Sequence, residues 1–388
     1  MDGARYLEDG RLTIFKRSGT FYARIRISPG KYTWRSLKTT DEQTAIRAGR
    51  RLLFQLEHRA DQGLPPKSKL FSAVIDDYVR FRERDHKQGR TSAGMLRQII
   101  RVAKFWREYA GAVPIEAIDD KVMREFIPWR RDYYSKFAEL PKNAKLNPTD
   151  KTLQWDMMLG KAIVKWAHEQ GLRGKQSLPT VTFTPKQKRA RPAFELSEYR
   201  RLWRTIFKRI RDAKDNRVRR SRELLRDYVL ILANSGMRVG EANNLRLRDL
   251  IPFKDDKGRR NFRFIVRGKT GERDVILRSA AASRLDKLLA KRDGEAANNF
   301  LFAMADGSKV VTLIDQFNTA LKEAGVQRNG FGEKYTLYSL RHFYAVTALR
   351  NGIGVFEVAR NMGTSVQMIQ QYYGKQATSA VFATRLGD

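Results

Sequence analysis

The sequence contains no cysteine and only four histidines among its 388 residues. Without cysteine, the chain has no disulfides, thiolate metal sites or cysteine nucleophiles. The histidines are too far apart in sequence to form a local two-histidine metal motif. No apolar run reaches the roughly 18 to 20 residues of a membrane span, and the first residues lack the apolar segment of a signal peptide. We therefore expect a cytoplasmic protein with no metal site and no membrane contact.

Acidic residues are few compared with basic ones. The chain has 42 Asp and Glu against 77 Lys and Arg, which gives a formal net charge of +35. This charge indicates a polyanionic partner, and DNA is the first candidate, because Lys and Arg release the counterions condensed on phosphates. Hydrophobic residues make up 41% of the chain, enough for packed cores, and the length indicates two or three domains.

Three β-rich runs open the chain, at 11–15, 21–27 and 32–36, and predict a small three-stranded sheet. The middle run alternates between an apolar and a basic, aromatic face. The apolar face carries Phe21, Ala23, Ile25 and Ile27, and the other carries Tyr22, Arg24 and Arg26. The second face is either solvated or lies in a DNA groove, and the net charge favours DNA. Thr40 and Gln43 have capping-box spacing ahead of an amphipathic helix.

The segment from 68 to 172 has the pattern of a helical domain. An apolar stripe with steps of three and four residues predicts one of its helices: Met95, Ile99, Val102, Trp106 and Tyr109. The basic residues between them include Arg97, Arg101 and Lys104, which either contact phosphates or are simply solvated. A basic linker follows over 173–192. Its Lys186, Lys188 and Arg189 could follow a DNA backbone, although a charged linker also stays extended without a partner.

The region from 193 onward carries an ordered set of motifs. Ser-Gly-Met-Arg-Val-Gly-Glu surrounds Arg238, and Lys269 lies on the turn of a predicted hairpin. Leu-Arg-His surrounds Arg341, and Tyr373 follows Met-Gly at 362–363. In order and spacing this set resembles the tyrosine recombinase, or phage integrase, family. The resemblance covers about 193–374 and extends more loosely to the helical domain. The N-terminal sheet is similar to the arm-binding domains of integrases.

The chemistry of these side chains fits cleavage of a DNA phosphodiester without metal or other cofactor. Two guanidiniums, Arg238 and Arg341, can hold one phosphate through paired donors. Lys269 can give a proton to the departing 5′ oxygen, and the phenol of Tyr373 can attack the phosphorus. The resulting 3′-phosphotyrosyl bond retains the energy of the phosphodiester, so that rejoining needs no ATP. Tyr372 is the rival nucleophile, but the family spacing favours Tyr373.

Two positions depart from the family pattern. Tyr338 stands where the family has histidine, and Thr364 stands where it has histidine or tryptophan. Both hydroxyls can donate to a phosphate oxygen, but neither accepts a proton readily near neutral pH. The general base for Tyr373 therefore stays open. His342 has either a packing role or a direct one, and Glu241 either orients Arg238 or caps a helix.

These observations predict an α+β, multidomain protein. We expect a three-stranded arm-binding sheet with one helix (1–62), an all-helical core-binding domain (68–172), the linker and a mainly helical catalytic domain with a small hairpin or sheet (193–388). The resemblance implies a recombinase that acts on double-stranded DNA as a homotetramer through a Holliday junction. It would integrate or excise a mobile element, with or without an accessory bending or excision factor. The alternatives are a DNA-binding protein that has lost recombination and a type IB topoisomerase.

Overall fold

The computed structural model describes residues 4–141, 144–174, 178–185, 192–268 and 271–374. The chain divides into two compact units between residues 187 and 188. This division falls inside the segment 173–192 that the sequence analysis predicts as a linker. The first unit contains both predicted N-terminal domains, and the boundary between them stays a prediction.

The first unit begins with an antiparallel sheet of four strands in the order β1-β2-β3-β4. The strands are β1 (Arg5–Leu7), β2 (Leu12–Arg17), β3 (Thr20–Ser28) and β4 (Lys31–Ser36). The three predicted strands are present, and the short β1 is a fourth that the prediction lacked. On β3, Ala23 and Ile25 are buried as the alternation predicts. Ile27 is exposed because a register shift between Arg26 and Ser28 interrupts the alternation.

Helix α1 (Glu42–Asp61) covers the apolar face of this sheet, and its Leu53 joins Leu12 and Ile14 in a small core. A Cβ at Gly49 would lie 2.5 Å from Cδ1 of Ile14, so glycine permits the close approach of helix and sheet.

The start of α1 differs from the prediction. Asp41 caps the helix, and its carboxylate accepts a hydrogen bond from the Thr44 N–H at 2.8 Å. The predicted capping box of Thr40 and Gln43 is therefore wrong. A charged carboxylate is the stronger acceptor for a helix N-terminal N–H, and Asp41 is one residue closer to the helix than the Thr40 hydroxyl.

Four helices complete the described part of the first unit: α2 (Phe71–Lys87), α3 (Ala93–Ala110), α4 (Asp120–Asp132) and α5 (Asp150–Glu169). Trp106 on α3 is fully buried among them, and its ring stacks on Phe126 with 3.8 Å between centroids. Gly160 on α5 makes room for it, since a Cβ there would lie 2.3 Å from the indole. In the predicted stripe of α3, Ile99, Val102 and Trp106 are buried, whereas Met95, in the first turn, is exposed.

The second unit is mainly helical around a three-stranded antiparallel sheet of order β5-β6-β7. The strands are β5 (Leu250–Lys254), β6 (Arg260–Gly268) and β7 (Gly271–Ile276). The helices are α6 (Leu196–Arg211), α7 (Asn216–Ser235), α8 (Val239–Asn244), α9 (Ala282–Ala290), α10 (Ile314–Glu323), α11 (Leu337–Arg350), α12 (Val355–Met362) and α13 (Val366–Ile369). A π-helical turn, Gln370–Gly374, follows α13.

Two apolar clusters hold the second unit together. The larger one packs α7, α9 and α10 against the sheet and contains Tyr228, Phe264 and Phe317. The smaller one joins α11, α12 and α13 and contains Tyr344 and Tyr373. The smaller cluster thus connects the three elements that carry the second half of the predicted site.

The predicted hairpin and the predicted fold class are confirmed. In the hairpin, Phe264 pairs with Val275 and Gly268 pairs with Gly271. Helices, a small N-terminal sheet and a small sheet in the second unit make the protein an α+β structure, as expected. Within the described ranges, no helix is both long and apolar enough to cross a membrane.

Candidate active site

Helix α7 ends in a way that brings Arg238 into the site. Gly236 adopts a left-handed conformation (φ 66°) at the C-terminus of α7, and a Cβ there would lie 2.4 Å from Cδ1 of Tyr344. Glycine thus permits both the turn and the close contact with α11. Two residues later Arg238 becomes the N-cap of α8. A glycine directly after an apolar helical run is a common helix end, so the sequence carries the signal for this turn.

Glu241 holds Arg238 at two points. Oε1 of Glu241 accepts from Nη1 of Arg238 at 2.8 Å, and Oε2 accepts from the Arg238 backbone N–H at 2.8 Å. Glu241 therefore both orients Arg238 and caps α8, so the two predicted roles coexist. The remaining terminal nitrogen, Nη2 of Arg238, donates to the Gly363 carbonyl at 2.5 Å.

Arg273, which the sequence analysis did not single out, binds the same carboxylate. Its Nη1 and Nη2 donate to Oε1 and Oε2 of Glu241 at 3.0 and 2.9 Å. Burial works to raise the pKa of Glu241, but hydrogen bonds from Arg273 and Arg238 overcome it and leave the pKa below its ordinary value. The nearly buried carboxylate is therefore ionised at neutral pH.

Arg341 lies on the second turn of α11 and is buried. Its Nη1 donates to the Gly236 carbonyl at 2.5 Å and to the Met362 carbonyl at 2.8 Å. Burial lowers the pKa of Arg341, and Tyr338 and Tyr373 oppose the change. A guanidinium stays charged at neutral pH even so.

The C-terminus of α12 is the meeting point of these arginines. The Met362 carbonyl accepts from both Arg341 and Arg273 (2.8 and 3.0 Å), and the Gly363 carbonyl accepts from Arg238. A helix C-terminus has free carbonyls and the negative end of the helix dipole, so it favours cations. Three guanidiniums from α8, β7 and α11 therefore converge on one turn.

Thr364 follows that turn directly. Gly363 has a left-handed conformation (φ 62°), and the N–H groups of Gly363 and Thr364 donate to the carbonyls of Arg360 and Ala359 at 3.1 and 3.0 Å. This is the Schellman pattern of a helix end. It fixes the backbone of Thr364 next to the arginines and leaves the side chain half-buried.

Tyr373 lies in the π-helical turn and is only 6% exposed, whereas Tyr372 is 38% exposed. Burial raises the pKa of the Tyr373 phenol well above its usual value, Arg341 lowers it, and Tyr338 and Tyr372 raise it further. The His342 ring lies 5.1 Å from the Tyr373 ring and 5.0 Å from the Tyr338 ring, measured between centroids. The His342 ring thus packs against both tyrosine rings.

Lys269 lies outside the described residues. The strands beside it are described, and they end close to the site: a Cβ at Gly268 would lie 3.0 Å from Oε1 of Glu241. Lys186, Lys188 and Arg189 also lie outside the described residues.

The predicted DNA-binding residues of the N-terminal sheet share one face. The Arg24 guanidinium lies over the ring of Tyr32 at 3.8 Å, and Tyr22 stacks on Phe15 with 5.9 Å between centroids. Trp34 pairs with Arg24 across the strands and is 46% exposed, and Arg26 is exposed. Sequence reasoning missed Tyr32 and Trp34, although the alternation of β4 would have found them.

The predicted basic residues of α3 differ in their partners. Arg97, Arg101 and Lys104 are all exposed. Arg101 pairs with the buried Asp156 at 3.3 Å, and Lys104 pairs with Glu108 at 3.8 Å. Arg101 therefore helps to hold the helical core, whereas the side chain of Lys104 forms only a long, exposed ion pair.

Asn361 is a second site residue that sequence reasoning missed. Its side chain donates to the Ser235 carbonyl at 3.1 Å and accepts from the Ile276 N–H at 2.7 Å. It also donates to the Tyr344 hydroxyl at 2.7 Å. One side chain thus ties α12 to the ends of α7 and β7 and to α11. An asparagine at a helix end carries no sequence signal for such long-range contacts.

Comparison with known proteins gives one family and a set of similar structures. Residues 201–379 match the model of the phage integrase family. The integrase of the transposon Tn1549 (residues 82–397), in complex with circular intermediate DNA, has 16% identity and a TM-score of 0.59, covering 82% of this chain and 99% of that one. A lambda integrase dimer bound to a COC′ core site has 17% identity and a TM-score of 0.58, covering 95% of each chain. A lambda integrase tetramer bound to a Holliday junction has 15% identity and a TM-score of 0.56, covering 92% and 94%. No curated protein is similar enough in sequence to count as a match.

Proposed function

Residues 201–379 carry a domain of the phage integrase family, and from that premise we propose that the protein is an integrase-type, site-specific DNA recombinase. The observation that supports this most strongly is the convergence of Arg238 and Arg341 on the α12 turn, with the buried Tyr373 in electrostatic contact with Arg341. A phosphodiester placed between these groups would meet paired donors and a nucleophile at once.

In the proposed reaction the phenolate of Tyr373 attacks the phosphorus. The bond from phosphorus to the 5′ oxygen breaks, a 3′-phosphotyrosyl bond forms, and Lys269 gives a proton to the leaving oxygen. Attack by the phenolate adds its negative charge to a phosphodiester that already carries one, shared by its two non-bridging oxygens, so fixed cations stabilise the transition state. Arg238 and Arg341 supply them. Reversal by a 5′ hydroxyl of another strand completes the exchange and needs neither ATP nor metal.

The proton of Tyr373 needs an acceptor, because burial raises the pKa of the phenol. Tyr338 stands where the family has histidine, and Thr364 stands where it has histidine or tryptophan. We assign both hydroxyls as hydrogen-bond donors to non-bridging oxygens of the phosphate. His342 contacts the Tyr373 ring and is an imidazole, the side chain best suited to accept a proton near neutral pH. We therefore propose His342 as the acceptor.

The remaining parts of the chain have proposed DNA-binding roles. The face of the N-terminal sheet with Tyr22, Arg24 and Arg26 would bind arm-type sites. The helical domain, through Arg97, Arg101 and Lys104, would bind the core site together with the catalytic domain. The linker residues Lys186, Lys188 and Arg189 would follow the backbone between them. For the domain limits we keep the proposal made from the sequence, namely 1–62, 68–172, 173–192 and 193–388.

By analogy with the lambda tetramer on a Holliday junction, four protomers would exchange strands in two steps. The similarity to the integrase of a transposon supports integration and excision of a mobile element as the biological role. We extend the proposal to an accessory bending or excision factor that assists one direction of the reaction, and the DNA-bound protein would lie in the nucleoid.

The test is capture of covalent protein–DNA adducts from cells that express the protein, with sequencing of the attached ends. Recurrent ends at one or a few sites would support the recombinase. Ends scattered over the genome would favour a topoisomerase. Strong DNA binding without adducts, in cells that carry the excised and integrated forms of the element, would favour a DNA-binding protein without recombination.

A further inference from the structure

Arg273 on β7 is placed to orient Arg238, one of the two arginines proposed to hold the phosphate. It binds both oxygens of Glu241 (3.0 and 2.9 Å), and Glu241 in turn binds both the side chain and the backbone N–H of Arg238. The Arg273 side chain is 17% exposed, against 36% for Arg238. Arg238 is therefore the more accessible of the two, and Arg273 lies behind the shared carboxylate.

Charge gives Arg273 a second effect on Arg238. An arginine paired with one carboxylate forms a neutral pair and has little net attraction for a phosphate. In this site the carboxylate of Glu241 is shared between two guanidiniums, so that the three side chains together carry one positive charge. Arg273 thus keeps Arg238 electropositive toward an incoming anion.

Arg273 also holds the end of α12. Its Nη2 donates to the Met362 carbonyl at 3.0 Å, beside the bond from Arg341. Its Nε is buried against Gly363, where a Cβ would lie only 2.3 Å away, and this Nε has no hydrogen-bond partner among the described residues. Gly363 therefore has two roles. It leaves room for the Arg273 side chain, and it permits the turn that places Thr364 beside the arginines.

We propose that Arg273 is a positioning residue for strand cleavage: through Glu241 it orients Arg238 and preserves its positive charge, and through Met362 it fixes the α12 turn. This inference rests on the proposed recombinase function. Arg273 itself does not contact the scissile phosphate in this scheme.

The experiment uses the full chain and a DNA fragment carrying a cleavage site found by adduct capture. Adduct formation in a single turnover is compared for wild type, Arg273→Gln and Arg273→Lys. Arg263→Gln is the matched control, because Arg263 lies on the neighbouring strand in an exposed pair with Asp274. We expect Arg273→Gln to lower the rate about 10- to 100-fold, the usual effect of losing a group that orients an active-site residue. We expect DNA affinity and the control variant to stay within about twofold of wild type.

A second substrate separates a charge role from a merely structural one. In a methylphosphonate at the cleaved position, a methyl group replaces one non-bridging oxygen, and the phosphate is neutral. Because Arg273 acts through the positive charge of Arg238, Arg273→Gln should lower the cleavage rate at least fivefold less on the methylphosphonate than on the phosphodiester. Arg273→Lys should recover part of the cleavage rate on the phosphodiester. Equal defects on both substrates, or a wild-type rate for Arg273→Gln, would overturn the inference. A wild-type protein that forms no adduct would instead overturn the proposed function, and the inference with it.

Discussion

Gly363→Ala adds one methyl group beside Arg273. Comparing it with Gly325→Ala should separate the cost of backbone strain from the cost of displacing the Arg273 side chain. Gly363 and Gly325 end α12 and α10 with the same pair of backbone hydrogen bonds and nearly the same φ, 62° and 64°. At Gly325 nothing lies within 4 Å of a Cβ, whereas at Gly363 the Cβ would lie 2.3 Å from Nε of Arg273. The two glycines thus form a matched pair.

The magnitudes follow from this geometry. Alanine in the left-handed region costs roughly 1–2 kcal/mol at either position. At Gly363 the guanidinium of Arg273 must also move, which weakens its charged hydrogen bonds to Glu241 and Met362. Hydrogen bonds to charged groups contribute about 1.5–3 kcal/mol each, so we expect a further loss of at least about 2 kcal/mol for Gly363→Ala.

The assay is urea unfolding of the full chain, with the transition of the second unit compared between Gly363→Ala and Gly325→Ala. Gly363→Ala should lose about twice as much stability or more, and it should also lose cleavage, while Gly325→Ala keeps cleavage close to wild type. Equal losses of stability in the two variants would refute the argument that Arg273 is packed against this turn.

Three further predictions follow from the site and the N-terminal sheet. The pKa of Glu241 is depressed in the folded protein, so its ion pairs stabilise the fold above its ordinary pKa of about 4.5 and are lost as the pH falls through the lower folded value. The difference in stability between wild type and Glu241→Gln should therefore shrink from pH 6 to pH 3, and a constant difference would contradict the assignment. His342→Gln should slow adduct formation at neutral pH about 100-fold, and a rate close to wild type would exclude His342 as the proton acceptor. Arg24→Ala should weaken binding of arm-type DNA and lower its salt dependence, whereas Arg35→Ala, on the other face of the sheet, should not; equal effects would argue against this face as the DNA contact.

The sequence allowed the main chain of the second unit to be anticipated at several points. The glycine at 236 and the hairpin both have strong local signals, namely a C-terminal glycine and alternating strands around a turn. The contact of Glu241 with Arg238 was also foreseeable, since the two residues are one helical turn apart.

The parts that were missed depend on contacts distant in sequence. Arg273 is 32 residues from Glu241 and 89 from Met362, so no local pattern relates them. Strand β1 has only three residues and exists because it pairs with β2. The predicted N-cap of α1 was wrong by one position. Thr40 and Asp41 are adjacent candidate acceptors, and only the structure shows which of them accepts the backbone N–H.

The central claim is that Tyr373 forms the covalent bond to DNA. The neighbouring Tyr372 is the natural control, since it is the more exposed of the two and has the same chemistry. Wild type, Tyr373→Phe and Tyr372→Phe should be expressed in parallel, and their covalent DNA adducts should be captured and digested with trypsin. Both tyrosines fall in the tryptic peptide 361–375, so fragmentation of the nucleotide-linked peptide must locate the modification. We predict the nucleotide on Tyr373 in wild type and in Tyr372→Phe, and no adduct with Tyr373→Phe despite unchanged DNA binding. A nucleotide on Tyr372, or adducts that persist in Tyr373→Phe, would contradict the account.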